Sequence, residues 1–125
     1  MATTCQNIIT TIRAANILPP TQVNTGVTDG LEPPYITLDG FEFEPEYQTA
    51  PFPVIHAHFH ILCYHNSADN VQALAEKVRG LLNLSTTVTP TTSGCFLLHY
   101  RLGQTQENLY VWVVDMEFKL EENIG

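Results

Sequence analysis

The chain has 125 residues, 44% of them hydrophobic and 14% charged, a balance that excludes a disordered or purely solvating segment and allows one sizeable core. Its net charge is −8, and between residues 14 and 76 there is no Lys or Arg against eight acids. Such a surface lacks the cationic stripe needed for tight binding to nucleic acid or to an anionic membrane.

No continuous apolar run approaches the roughly 18 residues of a membrane span, and no signal peptide is read, so the expectation is a soluble chain that is intracellular at synthesis. The three cysteines, Cys5, Cys63 and Cys95, are odd in number and widely spaced. They read as reduced, buried thiols, with a reactive thiol at Cys95 as the minority alternative.

In chain order, residues 3–16 place Ile8, Ile12 and Ala15 on one helical stripe with Ile9 beside it, and Pro19-Pro20 stop that helix. Residues 19–34, rich in Pro, Gly, Thr and Asn, read as a long connection with little structure of its own. PPYITLDG (33–40) reads as a strand with Asp39-Gly40 as its turn. FEFEPEYQTAPFPV follows, alternating Phe41 and Phe43 with Glu42 and Glu44 until Pro45 interrupts. Prolines restrict such a segment to a sheet edge or an extended arm. It is therefore read as an acidic hairpin or arm over residues 39–53, either solvated or docking its aromatics on another subunit.

VIHAHFHILCYH (54–65) sets His56, His58 and His60 on one face of a strand and Ile55, Ala57, Phe59, Ile61 and Cys63 on the other. The odd positions are the expected core face. In the following segment Val71, Leu74, Val78, Leu81 and Leu82 form a helical apolar stripe capped by Ser67, with Asp69 in the first turn. A closing hairpin is read from GCFLLHYRL and LYVWVVDMEFKL. Its second strand puts Tyr110, Trp112, Val114, Met116, Phe118 and Leu120 on one face. Leu109, Val111 and Val113 make half of the other face apolar, which calls for a cover from this chain or from a neighbouring subunit. The order helix, strands, helix, strands predicts one α+β domain over residues 1–125, with two helices packed on a mainly antiparallel sheet.

Chemistry finds little support in the spacing. His56 and His60 lie about 13 Å apart along a strand at ~3.3 Å per residue, too far to share one ion with Zn–N bonds near 2 Å. A metal-dependent enzyme would need His56 and His58 together with the distant His99. A Cys63/His65 pair could in principle act as thiolate and base, but nothing specifies an orienting group or an oxyanion hole. Glu42 and Glu44 form a carboxylate pair only by count. No nucleophile elbow, phosphate loop, dinucleotide fingerprint or H-E-x-x-H occurs. The reading is a protein that is not an enzyme and has no cofactor or metal. Histidine as a residue type gains charge as pH falls below neutrality, so if this stripe lies at a subunit contact the expectation is that acid weakens assembly.

The N-terminal helix, the Pro-rich connection into PPYITL, the central strand leading through a polar turn into ADNVQALAEKVRGLL, and the closing VWVVDMEFKL together resemble the tail-terminator and neck proteins of long-tailed bacteriophages. The resemblance spans most of the chain and rests on pattern, without a signature motif. It implies a structural virion protein that forms a ring, commonly of six copies, at the head-proximal end of the tail tube. Its implied partners are further copies of itself, the tube protein with the sheath as a further candidate, and the head-side connector or stopper. DNA would only pass through an acidic lumen, assembly would occur in the host cytoplasm, and no membrane is involved. Phe41, Glu42, Phe43, Glu44, His56, His58, His60, Leu109, Val111 and Val113 are the candidate subunit or partner contacts. The alternatives are a head-completion component, a small metal enzyme built on the His-x-His strand, or a monomeric binding module using residues 41–52.

Overall fold

The computed structural model describes residues 3–25, 32–46, 54–85, 92–105 and 111–123. The element order is α1 (Thr3–Ala14), a 3-10 turn (Pro20–Gln22), β1 (Val23–Thr25), β2 (Tyr35–Glu46), β3 (Val54–His65), α2 (Ala68–Leu82), β4 (Thr92–Gln104) and β5 (Trp112–Asn123). The five strands form one sheet in the order β1-β2-β3-β5-β4. Every pairing is antiparallel except β1 with β2. The fold is α+β.

Alternation decides which face of the sheet is covered. Ala57, Phe59, Ile61 and Cys63 of β3 and Val114, Met116, Phe118 and Leu120 of β5 are all fully buried. They share one core with Ile8, Ile9 and Ile12 of α1 and with Val71, Leu74, Ala75, Val78 and Leu82 of α2. Both helices therefore lie on the same face, α1 against β1 and α2 across β3, β5 and β4. The aromatic centre is a stack in which Phe59 has Phe41 on one side, at 6.0 Å between ring centroids, and Phe118 on the other, at 5.6 Å.

Local signals set the ends of the helices. The Ser67 hydroxyl accepts the Asn70 N–H at 3.1 Å, satisfying one orphan donor at the start of α2, and Asp69 sits favourably in the first turn. Asn16 adopts a left-handed conformation, φ 55°, just beyond α1. The Arg13 guanidinium, in the last turn of α1, donates to the Val23 carbonyl from Nε at 3.1 Å and from Nη2 at 2.8 Å, tying the helix to the edge strand.

Two expectations need correction. Asp39-Gly40 does not turn the chain: β2 continues through it to Glu46, and the pair forms a bulge between Asp39 and Glu42. Gly40 has φ 61°, and a Cβ there would sit 3.1 Å from His60 Cδ2, so both backbone and neighbour call for glycine. The connection after Pro19 is also not without structure, since residues 23–25 pair in parallel with residues 36–38. Residues 47–53 of the acidic segment lie outside the described residues, while residues 42–46 pair with residues 54–58 in the sheet.

Candidate functional site

The second face of the sheet carries no helix among the described residues, and the register lays out its side chains in rows. His60 lies between Asp39 of β2 and Glu117 of β5, and His99 of β4 extends the same row. His58 lies between Glu42 and Lys119, with Phe96 beyond. His56 is paired with Glu44 and Glu121, and Leu62 with Thr37 and Asp115, the latter facing Arg101. The histidine stripe of β3 is thus flanked by carboxylates contributed by both neighbouring strands.

Specific contacts follow from those rows. His60 Nδ1 is 2.7 Å from Asp115 Oδ1, with both side chains a little over one-third exposed. His56 Nδ1 lies 3.6 Å from Glu121 Oε1, and Lys119 Nζ reaches the same carboxylate oxygen at 3.4 Å. His60, His99, Arg101, Asp115 and Glu117 line a shallow cleft of about 160 Å³. At the far end of this face Tyr35 stacks on Tyr64 at 4.4 Å between centroids. The Tyr64 phenol is held above its ordinary range, first by burial and then by the nearby Tyr35, Asp39 and Asp115, with a Thr37 hydrogen bond opposing in part. Val113 pairs with Tyr64 and Gly103 there, and the half-buried Val111 follows beyond the strand end.

These rows bear directly on the proposed chemistries. A metal site on His56, His58 and His99 fails because the register puts His99 in line with His60 and Glu117, while His56 lines up with Glu121 and Gly94. Among the described residues no group of three or more His, Cys, Asp or Glu side chains is arranged to hold a metal. The thiolate pair fails too. Cys63 is fully buried on the helix-covered face and burial pushes its thiol up to about 12, while His65 Nδ1 accepts the Asn66 N–H at 2.8 Å. Cys95 is likewise buried and pushed up to about 12, which is the reverse of what a reactive thiol needs.

Of the contact residues read from the sequence, His56, His58, His60 and Glu42 are brought together on this face, with Val113 at its far end. Phe41 is turned inward against Phe59 and is partly buried on the core. Leu109 lies outside the described residues, and of Phe43 and Glu44 only the strand positions are described, opposite Ala57 and His56. Asp39, Arg101, Asp115 and Glu117 are not among the contact residues read from the sequence. The signal for Asp115 and Glu117 is the polar alternation of Asp115, Glu117 and Lys119 late in the last strand, which becomes informative only once β5 is known to lie beside β3.

A further depression of about 570 Å³ between α2 and β4 is lined by Gln72, Glu76, Arg79, Leu97 and Tyr100. Arg79 and Glu76 pair across one helical turn at 2.9 Å, and the Tyr100 phenol is raised mainly by burial. Among the described residues no serine, threonine or cysteine lines it.

No protein-family model matches the chain, and no curated protein matches it. Among solved structures it is similar to a chain of the virion of a native gene transfer agent (GTA) particle, with a TM-score of 0.75 at 17% identity over 94% of this chain and 92% of that one. At that identity the likeness is one of fold, and it extends over nearly the whole length of both chains.

Proposed function

We propose that the chain is a structural protein of a phage-like virion and, more specifically, a tail terminator that forms a ring at the head-proximal end of the tail tube. The observation that carries the proposal is the near end-to-end likeness of fold to a chain of a gene transfer agent virion. The features of this chain agree with a scaffold built for contacts. One sheet face is buried under two helices, and among the described residues the other carries histidines and a lysine set against carboxylates around a shallow cleft. Partners are further copies, the tube protein and a head-side connector or stopper. The contacts between copies are drawn from residues 42–44, while the open face with His56, His58 and His60 is left to solvent or to the lumen. An overall charge of −8 leaves the lumen of such a ring unattractive to phosphate, so DNA passes without adhering.

Electron micrographs of the untagged protein over a range of concentrations test this reading. Closed rings of one size support it. Monomers at every concentration that carry about one equivalent of zinc would overturn it in favour of the enzyme alternative.

A further inference from the structure

We propose that copies of this chain join edge to edge, the outer edge of β4 in one copy pairing with residues 42–46 of β2 in the next. The inference rests on the ring-forming reading and names its contact.

The two edges differ in chemistry. β4 is a 13-residue strand at one side of the sheet. The segment after α2 caps its first half: the Leu84 N–H donates to the Cys95 carbonyl at 2.6 Å, and Asn83 Oδ1 accepts the Leu97 N–H at 3.0 Å. Beyond that cap, no strand among the described residues pairs with residues 98–103 on the side away from β5. On the opposite side of the sheet β1 covers only residues 36–38 of β2, so no described strand lies beside residues 42–46 there. A strand edge left open in this way is a template for pairing with another chain.

Charge makes the two edges complementary. β4 contains no acid, and it exposes His99 and Arg101. Residues 42–46 contain Glu42, Glu44 and Glu46 and no cation. Arg101 has no ion pair among the described residues, and the Asp115 carboxylate opposite it is engaged by His60 through Oδ1. The register bulge between Leu97 and His99 leaves Leu98 49% exposed near Arg101, an apolar group on an open edge.

Direction and spacing agree. Three successive antiparallel pairings make β4 antiparallel to β2, so a second copy turned about an axis along the strands brings its β2 against β4 in the antiparallel sense. Thr37 shares the row of Arg101, whereas the open acidic stretch begins at Glu42, which the bulge places in the row of His58, so the next copy is shifted by about four residues, or ~13 Å. Spread over four or five strands at ~4.8 Å each, that stagger tilts the strands by about 30–35°, close to the tilt of closed sheets. Unlike edges meeting head to tail form a heterologous contact, which closes into a ring when the rotation permits.

Sedimentation velocity of the full chain and of charge-reversed variants tests the contact. Arg101→Glu and Glu42→Arg should each raise the concentration for half-assembly roughly tenfold or more, since like charges then face each other. The double variant, and an equimolar mixture of the two single variants, should recover assembly. Circular dichroism melts check folding, and His99→Glu reads the same contact should either variant unfold. Unchanged assembly of the folded single variants, or no recovery in the double variant, overturns the edge contact while leaving the ring reading standing. A wild-type chain that stays monomeric at every concentration overturns both.

Discussion

Replacing Phe59 by alanine removes the ring at the middle of the three-ring stack with Phe41 and Phe118, at a position with no solvent exposure. Loss of a buried phenylalanine costs about 3–5 kcal/mol in transfer and cavity terms, and the two broken ring contacts place this site toward the upper half of that range. With an unfolding entropy of ~2.1 cal/mol/K per residue, a chain of 125 residues changes stability by about 0.26 kcal/mol per degree near its midpoint, so ~4 kcal/mol lowers Tm by ~15 °C. His58→Ala, one position away on the opposite face, should stay within ~1 kcal/mol of wild type. Urea and thermal melts followed through Trp112, the only tryptophan, and through far-UV circular dichroism give both numbers. A loss below ~1 kcal/mol for Phe59→Ala, or equal losses for the two variants, would refute the assignment of the core to the odd positions of β3.

Three further outcomes are expected. Ser67→Ala should cost about 1 kcal/mol by leaving the Asn70 N–H without its cap, and Ser67→Asp should not, as read by the same melts. Gly40→Ala should destabilise by about 1–2 kcal/mol, because it places a Cβ in a left-handed conformation and 3.1 Å from the His60 ring; a neutral result would mean that the bulge is absent. Cys63 and Cys95, with thiols pushed up to about 12, should resist alkylation at pH 8 until the protein is unfolded, and mass spectrometry showing rapid native labelling of either would contradict their burial.

Much of the fold was legible because hydrophobic periodicity is a local property. Alternation along residues 54–65 identified the core face of β3, and the stripe from Val71 to Leu82 identified α2, four of whose five stripe residues are buried. Leu81, the fifth, is only partly covered. Features that depend on pairing across the sheet were not legible. A left-handed glycine after aspartate serves a hairpin turn or a bulge equally well, so Asp39-Gly40 could not be resolved without knowing that residues 42–46 lie beside residues 54–58. β1, at three residues, is too short to show any alternation. The carboxylates around the histidines come from positions up to about 65 residues distant, and spacing within β3 carries no trace of them.

Those carboxylates change what the histidine stripe can contribute to assembly. On the open face His60 already has Asp115, His56 lies near Glu121, and Lys119 shares that same carboxylate. A partner laid flat over the face would have to desolvate groups that are already paired within the chain, and burying an existing ion pair returns little net free energy. The strand edges stand differently: their backbone donors and acceptors gain a partner when another strand arrives, and Arg101 gains a carboxylate. Assembly driven by the edges therefore leaves the histidine face to solvent or to a lumen. Changing His56, His58 and His60 together to glutamine should then leave the sedimentation profile near that of wild type under conditions where Glu42→Arg abolishes rings. If the triple variant instead dissociates rings and Glu42→Arg does not, the contact lies on the face and the edge argument is wrong.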